Sequence, residues 1–212
     1  STPGDYTGNP LEYAGYTTSI IGNKSLEWLA TATEQYALVF APKAPHIPAT
    51  PAPWHAELFS DLKAPRTESY NVSCPQHHWL LAQQGPISPE EEQEIDELFR
   101  DRWRTLVSVD DAIADLWREN TYMIITSDHG YQLGQRRLPS AKLNVYDNDL
   151  RVPLAVLGPG LRRGVVYDLF SAHVDLAPTL VGLLGGATFE SDGRDLSLYL
   201  KQNSTPMLDP IL

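Results

Sequence analysis

The run Thr121-Tyr122-Met123-Ile124-Ile125-Thr126, followed at once by Ser127-Asp128-His129-Gly130-Tyr131, constrains this chain more than any other. Six β-branched, aromatic and apolar residues together read as a central strand. A buried strand that breaks directly into a carboxylate, an imidazole and a glycine puts polar chemistry at its carboxyl end. In open α/β sheets that is where ligands gather. Three further runs read as strands: 35–41, which stops at Pro42; 152–157, which stops at Gly158-Pro159-Gly160; and 165–170.

Helical patterns alternate with these strands. Residues 11–33 carry helix-like apolar spacing, weakened by Gly15 and Gly22. Ser88, Pro89 and Glu91 form an N-terminal signature of cap, first-turn proline and capping box, and Glu90-Glu91-Glu92 complements the helix dipole. Ile95, Leu98, Phe99, Trp103, Leu106 and Val107 then mark one buried face of a helix running to Leu116. Asp175 is placed to cap a short helix over 176–184, ended by Gly185-Gly186. The alternation predicts an α/β domain with a largely parallel mixed sheet flanked by helices. Residues 1–190 form the body of that domain, and 191–212 a tail or the start of a following subdomain. Between the first strand and the capped helix, 42–87 is a proline-rich excursion of the kind that is functional or disordered.

A formal net charge of −11 argues against nucleic acid as a partner, because no basic stretch compensates it. No run approaches the ~18 apolar residues of a membrane span. The single cysteine, Cys74, excludes an internal disulfide. Three sequons, at Asn23, Asn71 and Asn203, exceed the roughly one that chance supplies and point to a secretory or lysosomal route.

Three places carry candidate chemistry. Asp128 and His129 would supply two ligands to a divalent cation, with Gly130 letting the backbone turn around it; an ordinary turn capped by Asp128 fits the local sequence equally well. In Ala41-Pro42-Lys43-Ala44-Pro45-His46-Ile47-Pro48, flanking prolines stiffen a loop bearing a cation and a proton donor, although by itself a polyproline linker reads better. Lys142, fourteen residues beyond Asp128, would reach an anion held by the metal, or else is a solvated surface charge. Asp110-Asp111 lies within a helix pattern and reads as structural. Cys74 with His77 and His78 lacks a fourth zinc ligand. His55 and His173 read as surface or packing residues, and Asp149 with Arg151 as a structural pair.

These pieces, in this order, resemble the sulfatase family of the alkaline phosphatase superfamily from about Tyr13 to Gly186. The densest part runs from Tyr122 through Gln135 and Lys142 to Leu150-Arg151-Val152-Pro153-Leu154 and Gly158-Pro159-Gly160. The 41–48 stretch, Ser108-Val109-Asp110-Asp111 and Val174-Asp175-Leu176-Ala177-Pro178-Thr179 fit in register. Within the family the chain is most similar to glucosamine-6-sulfatases and arylsulfatases.

The resemblance implies that Asp128 and His129 ligate calcium, the imidazole being the less typical calcium ligand. It implies that Lys142 contacts the sulfate and stabilises charge on the leaving oxygen, and that His46 contacts the sulfate and protonates the departing alcohol. The implied substrate is a sulfated sugar or a small aryl sulfate ester, and the implied nucleophile a formylglycine made within Cys-x-Pro-x-Arg. Cys74-Pro75-Gln76-His77-His78 does not match that motif, and no paired aspartates precede Tyr36. The chain is therefore expected to be the C-terminal part of a catalytic domain, incomplete at its N-terminus, inactive and poorly soluble by itself. Relatives also carry a longer segment between Asp111 and Thr121. A phosphodiesterase or phosphonate hydrolase of the same superfamily is the competing enzyme, and an inactive homologue that binds sulfated glycans the competing binding protein.

Overall fold

A computed structural model describes residues 15–33, 35–73, 76, 78–138, 140, 142 and 144–201, without the side chains of 80 and 81. Cys74, His77 and the sequon at Asn203 lie outside the described residues, as do 11–14 of the expected first helix. Two compact units divide the chain, Ser1–Trp117 with Asp128–Val152, and Arg118–Ser127 with Pro153–Leu212.

The first unit is organised by α3, Pro89–Leu116, which packs against α1, Thr17–Leu29. The expected capping box is present: Glu91 N donates to Ser88 Oγ at 3.2 Å, and Ser88 N to Glu91 Oε2 at 2.7 Å. Gly22 sits in the middle of α1, where a glycine is unfavourable. It is buried, and a Cβ there would stand 3.2 Å from the Ala112 Cβ of α3, so the glycine permits the close approach of the two helices. Short helices α2, Trp79–Ala82, and α4, Asp147–Leu150, complete the unit.

The buried face of α3 is wider than the expected one. Ile95 is buried, but so are Asp96, Arg104, Thr105, Ser108 and Ala112, whereas Trp103 is 44% exposed. The reason lies in the proline-rich excursion that α3 covers. Buried backbone without a helix or sheet ladder still needs hydrogen-bond partners. Side chains of α3 supply them: Asp96 Oδ1 accepts from Ala64 N at 2.9 Å, Arg100 Nη1 donates to Leu62 O at 3.1 Å, and Arg104 Nε to Leu58 O at 2.8 Å. Ala64, Ile95 and Leu133 form a small apolar cluster beside this polar seam, with Leu98, Phe99 and Tyr131 against it.

In the second unit, β1 (Met123–Thr126) pairs antiparallel with β2 (Leu154–Leu157), Met123 opposite Leu157 and Thr126 opposite Leu154. Gly158 follows with φ +156, and a Cβ there would overlap the Tyr122 ring. Helix α5, Leu176–Leu184, ends at left-handed Gly185 as expected. Asp175 caps differently from the expectation: it makes no cap bond to α5 and instead accepts from Ala172 N at 3.0 Å, closing the preceding 3-10 turn. The short helix α6, Ser197–Lys201, packs on α5.

The largely parallel sheet is not seen among the described residues, whose one sheet is the antiparallel pair β1–β2. Residues 35–41 and 165–170 form neither helix nor strand, and among the described residues neither run pairs with a neighbouring strand. Over 165–170 side chains alternate between half-buried and exposed, with Val166 at 95% and Phe170 at 81% exposure. The period of a strand is present there without the ladder.

Candidate active site

Beyond β1 the chain turns tightly at Gly130, whose N–H donates to Asp149 O at 2.7 Å. A Cβ at Gly130 would overlap the Asn148 carbonyl, so this position admits only glycine without movement. Tyr131 N donates to Asn148 O at 2.7 Å, and Asp149 Oδ2 accepts from Asn144 N at 2.6 Å. These bonds lash 128–131 to the segment 142–149. Asp149 does not pair with Arg151, contrary to the structural pair read from the sequence; its carboxylate turns inward to the Asn144 amide instead.

The lashing brings three predicted residues together. Lys142 Nζ lies 2.8 Å from His129 Nε2, and Asp128 Oδ2 lies 3.4 Å from the same nitrogen. His129 Nδ1 donates to Gly130 O at 2.7 Å, so the lone pair on Nε2 is the one that faces the lysine ammonium. Burial pushes the Asp128 carboxyl up, but the His129 imidazole, the N–H groups of Asp128 and His129, and Lys142 outweigh it and hold it below the usual carboxylate range.

The fourth predicted residue stands apart. His46 is exposed, and its bonds stay within its own loop: His46 N donates to Lys43 O at 2.8 Å and Nδ1 to Ile47 O at 2.6 Å. It makes no hydrogen bond to Asp128, His129 or Lys142. What joins its loop to the other site loop is a residue the sequence reading passed over. Arg102 of α3 donates to Pro45 O at 2.9 Å and stacks 4.0 Å from the centre of the Tyr131 ring. Its position inside a helical pattern left only its charge as a signal.

Calcium takes six to eight oxygen ligands at about 2.3–2.6 Å. The exposed carboxylate of Asp128 fits that chemistry. His129 fits less well as arranged, since both ring nitrogens are engaged. Among the described residues no group of three or more His, Cys, Asp or Glu gathers to hold a metal ion. Other residues behave as packing. His55 Nδ1 lies 3.0 Å from buried Ser108 Oγ and its Nε2 3.4 Å from Asp111 Oδ2, which ties the 3-10 turn Pro53–His55 to α3. His173 Nε2 donates to Ser127 O at 2.7 Å. Of the sequons, Asn23 is exposed on α1, and Asn71, left-handed at φ +54, accepts from Ile87 N at 2.9 Å through Oδ1.

A carboxylate and an imidazole in the turn after β1 thus meet an ammonium from the following segment. The chain belongs to the sulfatase family, whose profile matches residues 1–187. It is 36% identical over 181 residues to the N-acetylglucosamine-6-sulfatase of Homo sapiens, covering 80% of this chain and 33% of that protein. It is 34% identical over 210 residues to the extracellular sulfatase SULF-1 homolog of Drosophila melanogaster, covering 91% of this chain and 19% of that one. Among solved structures, one described as a complex with its substrate D-glucosamine-2-N,6-O-disulfate superposes with a TM-score of 0.71 at 21% identity. That match covers 94% of this chain and 55% of the other, and it shows a shared fold. The chain thus spans about a third of the human relative's length.

Proposed function

We propose that the protein to which this chain belongs is a sulfuric ester hydrolase acting on sulfated sugars or aryl sulfates. The carrying observation is the Asp128–His129–Lys142 cluster, in which the ammonium of Lys142 stands 2.8 Å from an imidazole that sits beside a carboxylate in the glycine-hinged turn. In this reading Lys142 donates to the sulfate oxygens and offsets the charge that grows as the ester bond breaks. His46, whose Nδ1–H is held by Ile47 O, presents Nε2 as the proton carrier to the leaving alcohol. Asp128, together with His129 once its Nε2 is released from Lys142, would hold calcium. Bound calcium would neutralise sulfate charge, and a formylglycine in a Cys-x-Pro-x-Arg segment outside these 212 residues would supply the nucleophile. The 212 residues by themselves then have no turnover.

Relatives named as sulfatases of N-acetylglucosamine and of the extracellular space favour a sulfated sugar and a secretory or lysosomal route, as do the sequons at Asn23, Asn71 and Asn203. On the same reading, 1–190 is the C-terminal portion of the catalytic domain and 191–212 begins a tail or subdomain. The run 35–41 becomes a member of a largely parallel sheet within the whole domain.

The transcript upstream of Ser1 should carry Cys-x-Pro-x-Arg and an early pair of aspartates. Protein made from that frame should hydrolyse nitrophenyl sulfate and N-acetylglucosamine-6-sulfate in a calcium-dependent way. Undiminished turnover in Asp128→Ala and Lys142→Ala would end the proposal, as would an upstream frame without the motif.

A further inference from the structure

Four arginines work along the face of α3 and the loop it covers. Three of them meet carboxylates: Arg66 with Asp96 and Glu92, Arg100 with Glu97, and Arg104 with Glu97 and Asp101. Arg102 is the exception, since among the described residues no carboxylate pairs with it. Burial holds its guanidinium below the usual arginine range, partly offset by Tyr131. A half-buried cation without a counter-charge is an unfavourable element to keep for packing alone. Its two neighbours are the Pro45 carbonyl, one residue before His46, and the Tyr131 ring, two residues after His129.

We propose that Arg102 is a positioning residue for the sulfate site, clamping the His46 loop to the Tyr131 loop and so setting His46 against Lys142. On one side, the His46 ring is oriented by bonds inside 43–47, so wherever Pro45 is held the imidazole follows. On the other side, Tyr131 packs on the Ala64–Ile95–Leu133 cluster, and its O–H donates to Ser140 O at 3.4 Å, two residues before Lys142. The contact path therefore runs from Pro45 through Arg102 and Tyr131 to Ser140. A guanidinium suits this position because it can stack on a ring face while an edge N–H donates to a carbonyl. A lysine would keep the charge and lose one of the two contacts.

This inference rests on the proposed sulfatase reading, and the experiment separates the two. In the full-length protein, Lys142→Ala tests the reading itself, and loss of turnover there is the precondition for interpreting Arg102. Arg102→Met should then lower kcat by about tenfold to a hundredfold on an alkyl sugar sulfate, whose leaving group needs a proton. The loss on nitrophenyl sulfate, whose leaving group does not, should be within about threefold. In a His46→Ala background Arg102→Met should add little, because the two act through one step. Arg102→Lys should fall between wild type and Arg102→Met, and it carries the test if the methionine variant does not fold. Amide exchange at His46 N, which bonds Lys43 O, should quicken in either variant. Equal losses on both substrates, additivity with His46→Ala, or a lowered melting temperature with unchanged kcat would each overturn the clamp. Wild-type turnover that survives Lys142→Ala would instead remove the sulfatase reading on which the clamp depends.

Discussion

Lys142 Nζ lies 2.8 Å from His129 Nε2, so in this arrangement the lysine occupies the lone pair that a metal ion would otherwise use. On the proposed reading, anion binding and metal ligation would be coupled through that one nitrogen, because a sulfate that drew Lys142 towards its oxygens would free His129. Lys142→Ala should therefore cut kcat by about 10²–10³, the cost of losing one preorganised donor. Calcium affinity should stay level or rise, as read by titration calorimetry, and a fall in affinity would contradict the coupling.

Gly130→Ala places a methyl group onto the Asn148 carbonyl. The turn must open, at a cost of about 1–3 kcal/mol, and Asp128 and His129 move with it. Denaturant unfolding should show the loss, and turnover of the full-length protein should fall further than stability alone explains.

Asp175 is buried and accepts from Arg194 N at 2.7 Å, Ala172 N at 3.0 Å and the Arg194 guanidinium at 3.4 Å. Burial pushes its carboxyl up, yet these donors outweigh it and hold it below the usual range. The folded carboxylate thus binds protons less readily than the unfolded one. Its contribution is complete above the unfolded value of about 3.9 and is lost as pH falls through the depressed folded value. Asp175→Asn should destabilise by about 2–4 kcal/mol at neutral pH and flatten the acid limb of a melting-temperature profile. An unchanged acid limb would count against this account.

Gln132 has no exposed surface, and among the described residues neither its Oε1 nor its Nε2 has a hydrogen-bond partner. Leaving both amide atoms dry costs more than an apolar side chain of similar length. Gln132→Met should be neutral or stabilising by up to about 1 kcal/mol in thermal unfolding. A loss greater than that would mean the amide serves a partner or an ordered water.

Large apolar side chains lie open in both units, among them Val39 at 90% and Val166 at 95% exposure. Isolated 212-residue protein should associate as its concentration rises, and light scattering will read this directly. A monomer stable at high concentration would refute it.

Local grammar made some of this legible in advance. The capping box at Ser88, the glycine stop at Gly185 and both strands of the β1–β2 pair are short-range features, and each formed close to where residue chemistry places it. The apolar runs 35–41 and 165–170 read as strands but form none among the described residues, since a strand is defined by a neighbour that its own residues do not specify. The face of α3 was read in part, with only Trp103 of its six apolar positions exposed, and its polar share was missed for a related reason. Periodicity counts apolar residues, whereas Asp96, Arg100, Arg102 and Arg104 turn inward to serve the carbonyls and amides of a loop some forty residues earlier.

The candidate site divides in the same way. Asp128, His129, Lys142 and His46 were found from residue type, order and family resemblance, all properties of the one-dimensional chain. Only the tertiary structure decided that Lys142 stands against His129, that Asp149 serves Asn144 rather than Arg151, and that Arg102 links the two loops. A sequence determines which groups are available and which local turns they favour. Which group meets which depends on long-range packing, where every buried donor and acceptor must find a partner at once.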